Sequence, residues 1–429
     1  MSRIVVTTIG SLGDLHPKIA IALELRDRGH DVVFATHQGY QAKIEALGFE
    51  FHPMRPDGTD DPLEIARITD KKTGSEYAVR NWLLPSLRET YTDLMNAAKD
   101  SDFMIAGEIV YAARLVAEKL RIRWASSALS PFSFLSAYDP SAIALFPFLA
   151  KLRGFGLPIN QGIIQLLKTV TKSWAIPIHQ LRKELELPQL IGNPIIDDKF
   201  SPYLVLAMFS SVLAKPQPDW AKNTVITGFT FYDNNHNKTE LSPKLQQFLD
   251  AGEPPFVFTL GSANVLNPGV FYQESIQAAT QLNRRAVLLM GGNTLPENLP
   301  KDIIATNYAP YSKIFPHACA IIHQGGIGTT AQALQAGRPT LIMPYTYDQP
   351  DNAARVQRLG TSRTILREQY SALRVAKELS ELVGNPSYAA KAAKIGRIIQ
   401  AENGVMIACD AIEKQLEATT IKLKSNINQ

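Results

Sequence analysis

The amino-acid sequence predicts an α/β fold of two Rossmann-like domains whose parallel sheets face each other across a cleft. Three observations carry that expectation. Short apolar runs alternate with helix-type segments from residue 4 onward, the signature of βαβ units. A second alternating set opens at Phe256, after a polar, turn-rich interval. In each set a glycine-containing turn follows an apolar run, the place where parallel sheets put their ligands.

In the first set, residues 4 to 9 read as a buried strand. Pro17 suits a first helical position, so a helix is predicted from there to Arg28, closed by Gly29. A strand follows at 31 to 36, then a helix ending near Leu47-Gly48 and a strand at 49 to 52. Later come a strand at 103 to 106 and a helix near 111 to 120. Residues 129 to 180 break the alternation with a run rich in Phe, Leu, Ile and Pro, including Phe146, Phe148, Leu149 and Phe155 and flanked by Lys151, Arg153, Lys168 and Lys172. That run reads either as ordinary core helices or as a greasy acceptor pocket with an interfacial helix resting on a membrane.

The second set has strands at 256 to 261, 286 to 291, 303 to 307, 320 to 323 and 340 to 344. Residues 231 to 238 are the best linker, which divides the chain into an N-terminal domain, 1–235, and a C-terminal domain, 236–429. The last helical stretch, 388 to 416, is long enough to pack back across the join. At 429 residues with 45% hydrophobic content, the chain can bury two cores.

Composition narrows the function. Lysine and arginine number 44 against 40 acidic residues, with no basic block beyond the pairs Lys71-Lys72 and Arg284-Arg285, so no nucleic-acid partner is expected. Two cysteines, Cys319 and Cys409, argue against a disulfide framework and for a reducing, cytoplasmic compartment. Residues 1–3 lead straight into the first strand, too little for a signal-peptide core, and no stretch of 18 apolar residues occurs. At most, peripheral contact with the inner face of a membrane is expected.

The chemistry concentrates between 319 and 352. The run 320 to 322 ends at His323 and opens onto Gly325, Gly326 and Gly328, where backbone can approach a ligand closely. Thr329 and Thr330 then start a helix ended by Gly337 and Pro339. Free amides at such a helix start bind anions, at about 0.3–1 kcal/mol per charge, and His323 is the obvious added donor. The next strand releases Asp348 and Gln349 into the same crevice, where an acid beside an amide can hold vicinal sugar hydroxyls. The competing reading of Asp348 alone, the weaker of the two, is a helix cap before Pro350. In the N-terminal loop, Gly10-Ser11-Leu12-Gly13-Asp14-Leu15-His16-Pro17 lacks the dinucleotide spacing but presents a carboxylate and an imidazole. Asp14 suits a general base, with helix capping the competing role, and His16 either a base or a loop hydrogen bond.

With these residues the chain resembles the GT-B nucleotide-sugar glycosyltransferases, specifically the UDP-glycosyltransferase superfamily, and within it the bacterial branch, rhamnolipid rhamnosyltransferases and sterol glucosyltransferases. The matching motifs run in order through Gly10–Asp14, Gly228–Asp233, Phe258–Ser262, Tyr308–Pro310, His323–Gly328 and Asp348–Arg355. The resemblance implies a donor in the C-terminal domain, an acceptor in the N-terminal one, and inverting chemistry without a metal or other cofactor. It places the base at Asp14 with His16 in reserve. It assigns diphosphate contacts to His323, Gly325, Gly326, Gly328 and Thr329, a further phosphate contact to Ser262, base stacking to Tyr308 and sugar contacts to Asp348 and Gln349. Ala331 stands where plant-type members carry a ribose-binding glutamate, so ribose recognition has no assigned residue. The implied reaction moves glucose or rhamnose from a UDP- or dTDP-sugar to a hydroxyl of a hydrophobic, lipid acceptor, making a glycolipid. Sterol, polyketide or other small aglycones are the alternative acceptors. A nucleotide-sugar epimerase and a non-enzymatic nucleotide-sugar binder are the competing classes, and the greasy run at 129 to 180 disfavours the epimerase.

Overall fold

The structure is a computed structural model that describes residues 1–59, 61–143, 156–196, 198–232 and 240–427. The linker position near residue 235 and the apolar residues Phe146, Phe148, Leu149 and Phe155, with Lys151 and Arg153, lie outside the described residues. Two wholly parallel sheets organise the chain. The first joins β1 (Arg3–Thr7), β2 (Asp31–Thr36), β3 (Glu50–Pro53), β4 (Phe103–Gly107), β5 (Arg123–Ala128), β6 (Leu204–Ala207) and β7 (Thr224–Ile226) in the order 3-2-1-4-5-6-7. The second joins β8 (Phe256–Thr259), β9 (Ala286–Leu289), β10 (Ile303–Thr306), β11 (Ala320–His323), β12 (Thr340–Ile342) and β13 (Ser362–Thr364) in the order 10-9-8-11-12-13.

The two sheets therefore repeat one plan. In each, the first strand lies between the second and the fourth: Val5 sits beside Val33 and Met104, and Val257 beside Val287 and Ile321. All six side chains are fully buried. Alternate residues of a strand feed opposite faces, so Ile4 and Val6 enter one core and Val5 another, and Phe256 and Phe258 one core and Val257 another. Each such aliphatic side chain contributes about 1.5–3 kcal/mol on burial.

The strand order reverses direction between β1 and β4 and between β8 and β11. Those are the two switch points, and the ends of these strands frame the site.

Several elements differ from the sequence reading. The first helix spans Leu12–Asp27, starting five residues before Pro17, because Ser11 and Asp14 form a capping box that nucleates it. Pro17 thus lies inside the helix, and its missing N–H leaves one carbonyl of the first turn without its usual partner. The stretch expected at 388 to 416 is two helices, Pro386–Gln400 and Gly404–Ile427. The second returns to the N-terminal half. Ala408, Cys409, Ile412 and Leu416 enter the core built on Leu15 and Ile19, and Arg28 pairs with Asp410 and Glu413, both at 2.6 Å. Among the described residues, no helix is long and apolar enough to cross a membrane.

Candidate active site

At the C-terminal switch point, β11 delivers His323 and the chain turns through Gln324, Gly325 and Gly326 into the helix Ile327–Gln335. Gly325 has φ of 86°, and a Cβ there would meet Ile342 at 2.9 Å and the Gln349 carbonyl at 3.2 Å, so only glycine fits. Gly326 is the N-cap and supplies no side-chain acceptor, which leaves the first-turn amides uncapped by any side chain. The end of β8 approaches from beside it, where Gly261 has φ of 67° and lies against the Gln324 side chain. The Tyr311 hydroxyl, 2.8 Å from Thr259, also engages Thr329 and locks this corner.

His323 is completely buried. Its Nδ1 accepts the Gly325 N–H at 3.0 Å, which assigns the ring proton to Nε2. Burial pushes its pKa down to about 3, so the ring is neutral and Nε2 is a hydrogen-bond donor. That donor is buried and has no protein partner. A buried unmet donor costs about 1–3 kcal/mol, so a ligand oxygen that met it would recover that amount.

The N-terminal switch point is built differently. Ser11 donates its amide to Asp14 Oδ2 at 2.8 Å, and the Gly13 amide donates to Ser11 Oγ at 3.2 Å. Asp14 is therefore the capping acid, acting through Oδ2. Burial raises its pKa, against the lowering effect of Lys18 and of the Ser11 amide. Lys18 is 1% exposed, donates to the Asp14 carbonyl at 3.1 Å, and is pushed by burial down to about 8. Glu108, just past β4, takes Ser133 Oγ at 2.7 Å and Lys199 at 2.9 Å, and its charge is felt at Asp14, Lys18 and Asp348. The sequence reading singled out neither Lys18 nor Glu108. For Glu108 a signal existed: it is the first acid past the strand opposite β1, where the switch-point rule directs attention.

The two loops meet. A Cβ placed on Gly328 would lie 3.8 Å from the Gly13 Cα, so the starts of the first helix and of the helix Ile327–Gln335 face each other at close range. Beside this junction lies a cleft of about 520 Å³, walled by both halves. His16, Ser262, Tyr308, Gly328 and Thr329 are on its wall. Leu12, Leu129, Met208, Phe229 and Phe231 make its N-terminal side apolar. His16 packs its ring 5.0 Å from that of Tyr232, and its Nε2 is buried without a partner. Burial and the Lys43 charge lower its pKa to about 4. Tyr308, on the same wall, is 65% exposed.

Asp14, His323, Gly325, Gly326, Asp348 and Gln349 stand behind that wall rather than on it. Asp348 occupies the N-cap position of the helix Gln349–Arg358, yet its side chain caps nothing and instead accepts from Asn352 at 2.7 Å. Burial lifts its carboxyl to about 7, with the Asn352 bond opposing and the charges of Asp14 and Glu108 adding. Gln349 accepts from the Tyr345 amide at 2.9 Å and donates to Asn264 at 2.8 Å, so much of its amide is already engaged.

Known proteins match along nearly the whole chain. Residues 4–135 match the Glycosyltransferase family 28 N-terminal domain, and residues 274–404 match the C-terminal domain of Erythromycin biosynthesis protein CIII-like proteins. O-mycaminosyltylonolide 6-deoxyallosyltransferase of Streptomyces fradiae is 30% identical over 97% of this chain and 98% of its own length. A sterol 3-beta-glucosyltransferase of Neurospora crassa is 30% identical over 97% of this chain, which spans 27% of that longer protein. Two solved structures share the fold. The glycotransferase of kitacinnamycin has a TM-score of 0.70 at 22% identity, covering 97% of this chain and 99% of that one. The glycosyltransferase VinC, solved in complex with dTDP, has a TM-score of 0.68 at 17% identity, covering 97% and 100%. Paired parallel sheets, a glycine-rich helix start facing a carboxylate-bearing loop, and an end-to-end relative at 30% identity agree: the chain belongs to the UDP-glycosyltransferase superfamily of GT-B glycosyltransferases and is a hexosyltransferase.

Proposed function

We propose that the chain transfers glucose or rhamnose from a UDP- or dTDP-sugar to a hydroxyl of a hydrophobic, lipid acceptor, with inversion at the anomeric carbon and without a metal or other cofactor. The observation that carries this reading is the helix start at Gly326 with no side-chain cap, whose Gly328 and Thr329 line the same cleft as Gly13 and His16 of the N-terminal loop, with the unpartnered His323 Nε2 buried behind them. The amides of the first turn and His323 Nε2–H would bind the diphosphate, with Ser262 and Thr329 beside them. Tyr308 would stack on the base, and Asp348 and Gln349 would hold the sugar hydroxyls.

In the proposed displacement the acceptor oxygen bonds to the anomeric carbon as the bond to the β-phosphate oxygen breaks. The acceptor proton passes to Asp14, and the electron pair leaves on the diphosphate. Neutral donors already in place stabilise that growing charge, which is where preorganisation lowers a barrier most. Burial raises the proton affinity of the Asp14 carboxylate above its ordinary value and lowers that of the His16 imidazole, to about 4, and those opposite directions favour Asp14 over His16.

A lipid acceptor is supported by the apolar N-terminal wall of the cleft and by the helix Leu157–Thr171. Ile159, Leu166 and Val170 are 40%, 59% and 57% exposed and follow one another on a helical stripe, with Lys168 and Lys172 near its C-terminal end. Such a face suits an anionic bilayer surface at the cytoplasmic side. The names of the relatives favour a second acceptor class, sterols or macrolide aglycones.

The test is a product assay by mass spectrometry. UDP-glucose and dTDP-rhamnose are each offered with a hydroxy fatty acid, a sterol and a macrolide aglycone in vesicles, with and without EDTA. Glycosylated product that survives EDTA is expected. An epimerised sugar formed from donor alone, or no glycoside from any pair, would overturn the transferase reading. Loss of product with EDTA would overturn its metal independence.

A further inference from the structure

The segment that carries Asp348 and Gln349 belongs to the C-terminal half, yet the N-terminal half holds it from both flanks. On one flank Tyr347, with φ of 56°, donates its hydroxyl to the Ile68 carbonyl at 2.6 Å. Asn267 donates to Thr69 at 3.3 Å, and Lys71 pairs with Glu368 at 2.9 Å. A left-handed conformation costs a non-glycine residue about 1–3 kcal/mol and persists where its surroundings impose it. Here it falls one residue before Asp348.

On the other flank Arg355, 2% exposed, donates to Asp351 at 2.6 Å within its own helix. The same guanidinium reaches across the halves to the Asp139 carboxylate and to the Leu213 carbonyl at 3.3 Å. Asp351 is completely buried, and its other oxygen takes the Ala142 amide at 2.8 Å. A buried arginine between two carboxylates stays favourable only with every partner in place. The loop bearing Asp139 and Ala142 is tied in turn to the acceptor-side helix Leu157–Thr171, through Asn160 Nδ2 to the Ala137 carbonyl at 3.0 Å. A continuous set of contacts thus runs from the acceptor side to the helix whose first turn starts at Gln349.

We propose that Arg355, with Asp351 and Asp139, is a positioning residue through which the acceptor half sets the donor-sugar loop. Asp348 and Gln349 reach their working geometry only when the loop at 136–142 is docked on Arg355. This rests on the donor-sugar reading of Asp348 and Gln349 given above. The nucleotide and diphosphate contacts stand on the preceding loop and helix start, which meet this helix through the Asn352 bond to the Gly325 carbonyl at 2.9 Å, a contact that does not involve Asp139.

The experiment compares the dissociation constants of the full chain for UDP and UDP-glucose, and for dTDP and dTDP-rhamnose, by calorimetry. In Asp139→Asn and Arg355→Met, the ratio of sugar-nucleotide to nucleotide dissociation constant should rise about tenfold or more, while the nucleotide alone binds within about twofold of wild type. Arg355→Lys should not restore the ratio, because an ammonium cannot bridge both carboxylates as the planar fork does. Tyr347→Phe, on the opposite flank, should move the ratio the same way by less. If Arg355→Met does not fold, Asp139→Asn and Tyr347→Phe, which keep the Arg355–Asp351 pair, decide the matter. An unchanged ratio in those variants, or parallel losses for nucleotide and sugar nucleotide alongside a lower melting temperature, would overturn the positioning role. A wild type that binds the nucleotides but neither sugar nucleotide would instead overturn the donor-sugar reading itself.

Discussion

At the end of β1 the chain turns into a helix whose first amides are already taken; at the end of β11 it turns into one whose first amides are free. Ser11 and Asp14 cap the first helix reciprocally, while Gly326 caps the second with no side chain. The matched position after β4 carries Glu108, and the one after β11 carries Gln324 and two glycines. The two halves share a strand order and still present opposite chemistry at their switch points, acidic in one and neutral and amide-rich in the other. Two like unit charges about 7 Å apart at an effective dielectric of about 20 repel by about 2 kcal/mol, so Asp14 and Glu108 each disfavour an anion at the N-terminal loop, with Lys18 and Lys199 opposing them. Charge and capping, and not topology, divide the labour between the halves.

Removing the acid should have the largest effect on turnover. Asp14→Asn keeps the capping geometry and is expected to lower kcat by about a hundred- to ten-thousandfold while nucleotide affinity is kept, as measured by initial rates and calorimetry. Full turnover in that variant would take Asp14 out of the chemistry and promote His16. On the other side, His323→Gln should weaken UDP or dTDP binding by about ten- to a hundredfold, the value of a hydrogen bond to a charged group. Part of that loss comes from freeing the Gly325 amide. Undiminished affinity would mean that the phosphates do not meet Nε2.

The contrast between the halves was only half legible in the sequence. The apolar runs of β1, β2, β8 and β11 mark buried parallel strands, so the switch points could be found. β5, Arg-Trp-Ala-Ser-Ser-Ala, and β13, Ser-Arg-Thr, carry no such run, because their place in the sheet comes from neighbouring strands. Asp14 was legible as a base or a cap. That it caps depends on Ser11 three residues earlier, and Pro17 masked the true helix start. Asp348 and Gln349 were legible as a polar pair, but their engagement with Asn352, Tyr345 and Asn264 was not. Arg355 reads as one more helix arginine, since its partner Asp139 lies 216 residues away.

Titration separates the two loops more gently. His16 and His323 sit at about 4 and about 3 when folded, against about 6.5 unfolded. The stability they contribute is full above pH 6.5 and is lost as pH falls towards those values. Asp348, raised to about 7, runs the other way: its contribution is full below about pH 3.8 and is lost as pH rises through 7. In melting temperature, His16→Gln should therefore gain on wild type as pH falls from 7 to 4.5, and Asp348→Asn should gain as pH rises from 4 to 8. An offset that does not change with pH would remove that group from the account.

The smallest expected change in stability is also the sharpest test of the comparison. Gly326 has φ of −58° and ψ of 141°, a conformation open to serine, and the nearest atom to an added Cβ is the end of the flexible Gln324 side chain at 2.8 Å. Gly326→Ser would give the second helix the cap the first one has. The cap should stabilise the fold by a few tenths of a kcal/mol, because glycine is already a tolerable N-cap. The same hydroxyl would occupy an amide the diphosphate needs, so nucleotide binding should weaken several-fold even as the melting temperature holds or rises. If the Gly326→Ser variant binds UDP or dTDP as well as wild type does, free amides are not what distinguishes the two helix starts. The difference would then rest on the acids alone, and Asp14→Asn would be expected to open the first loop to phosphate.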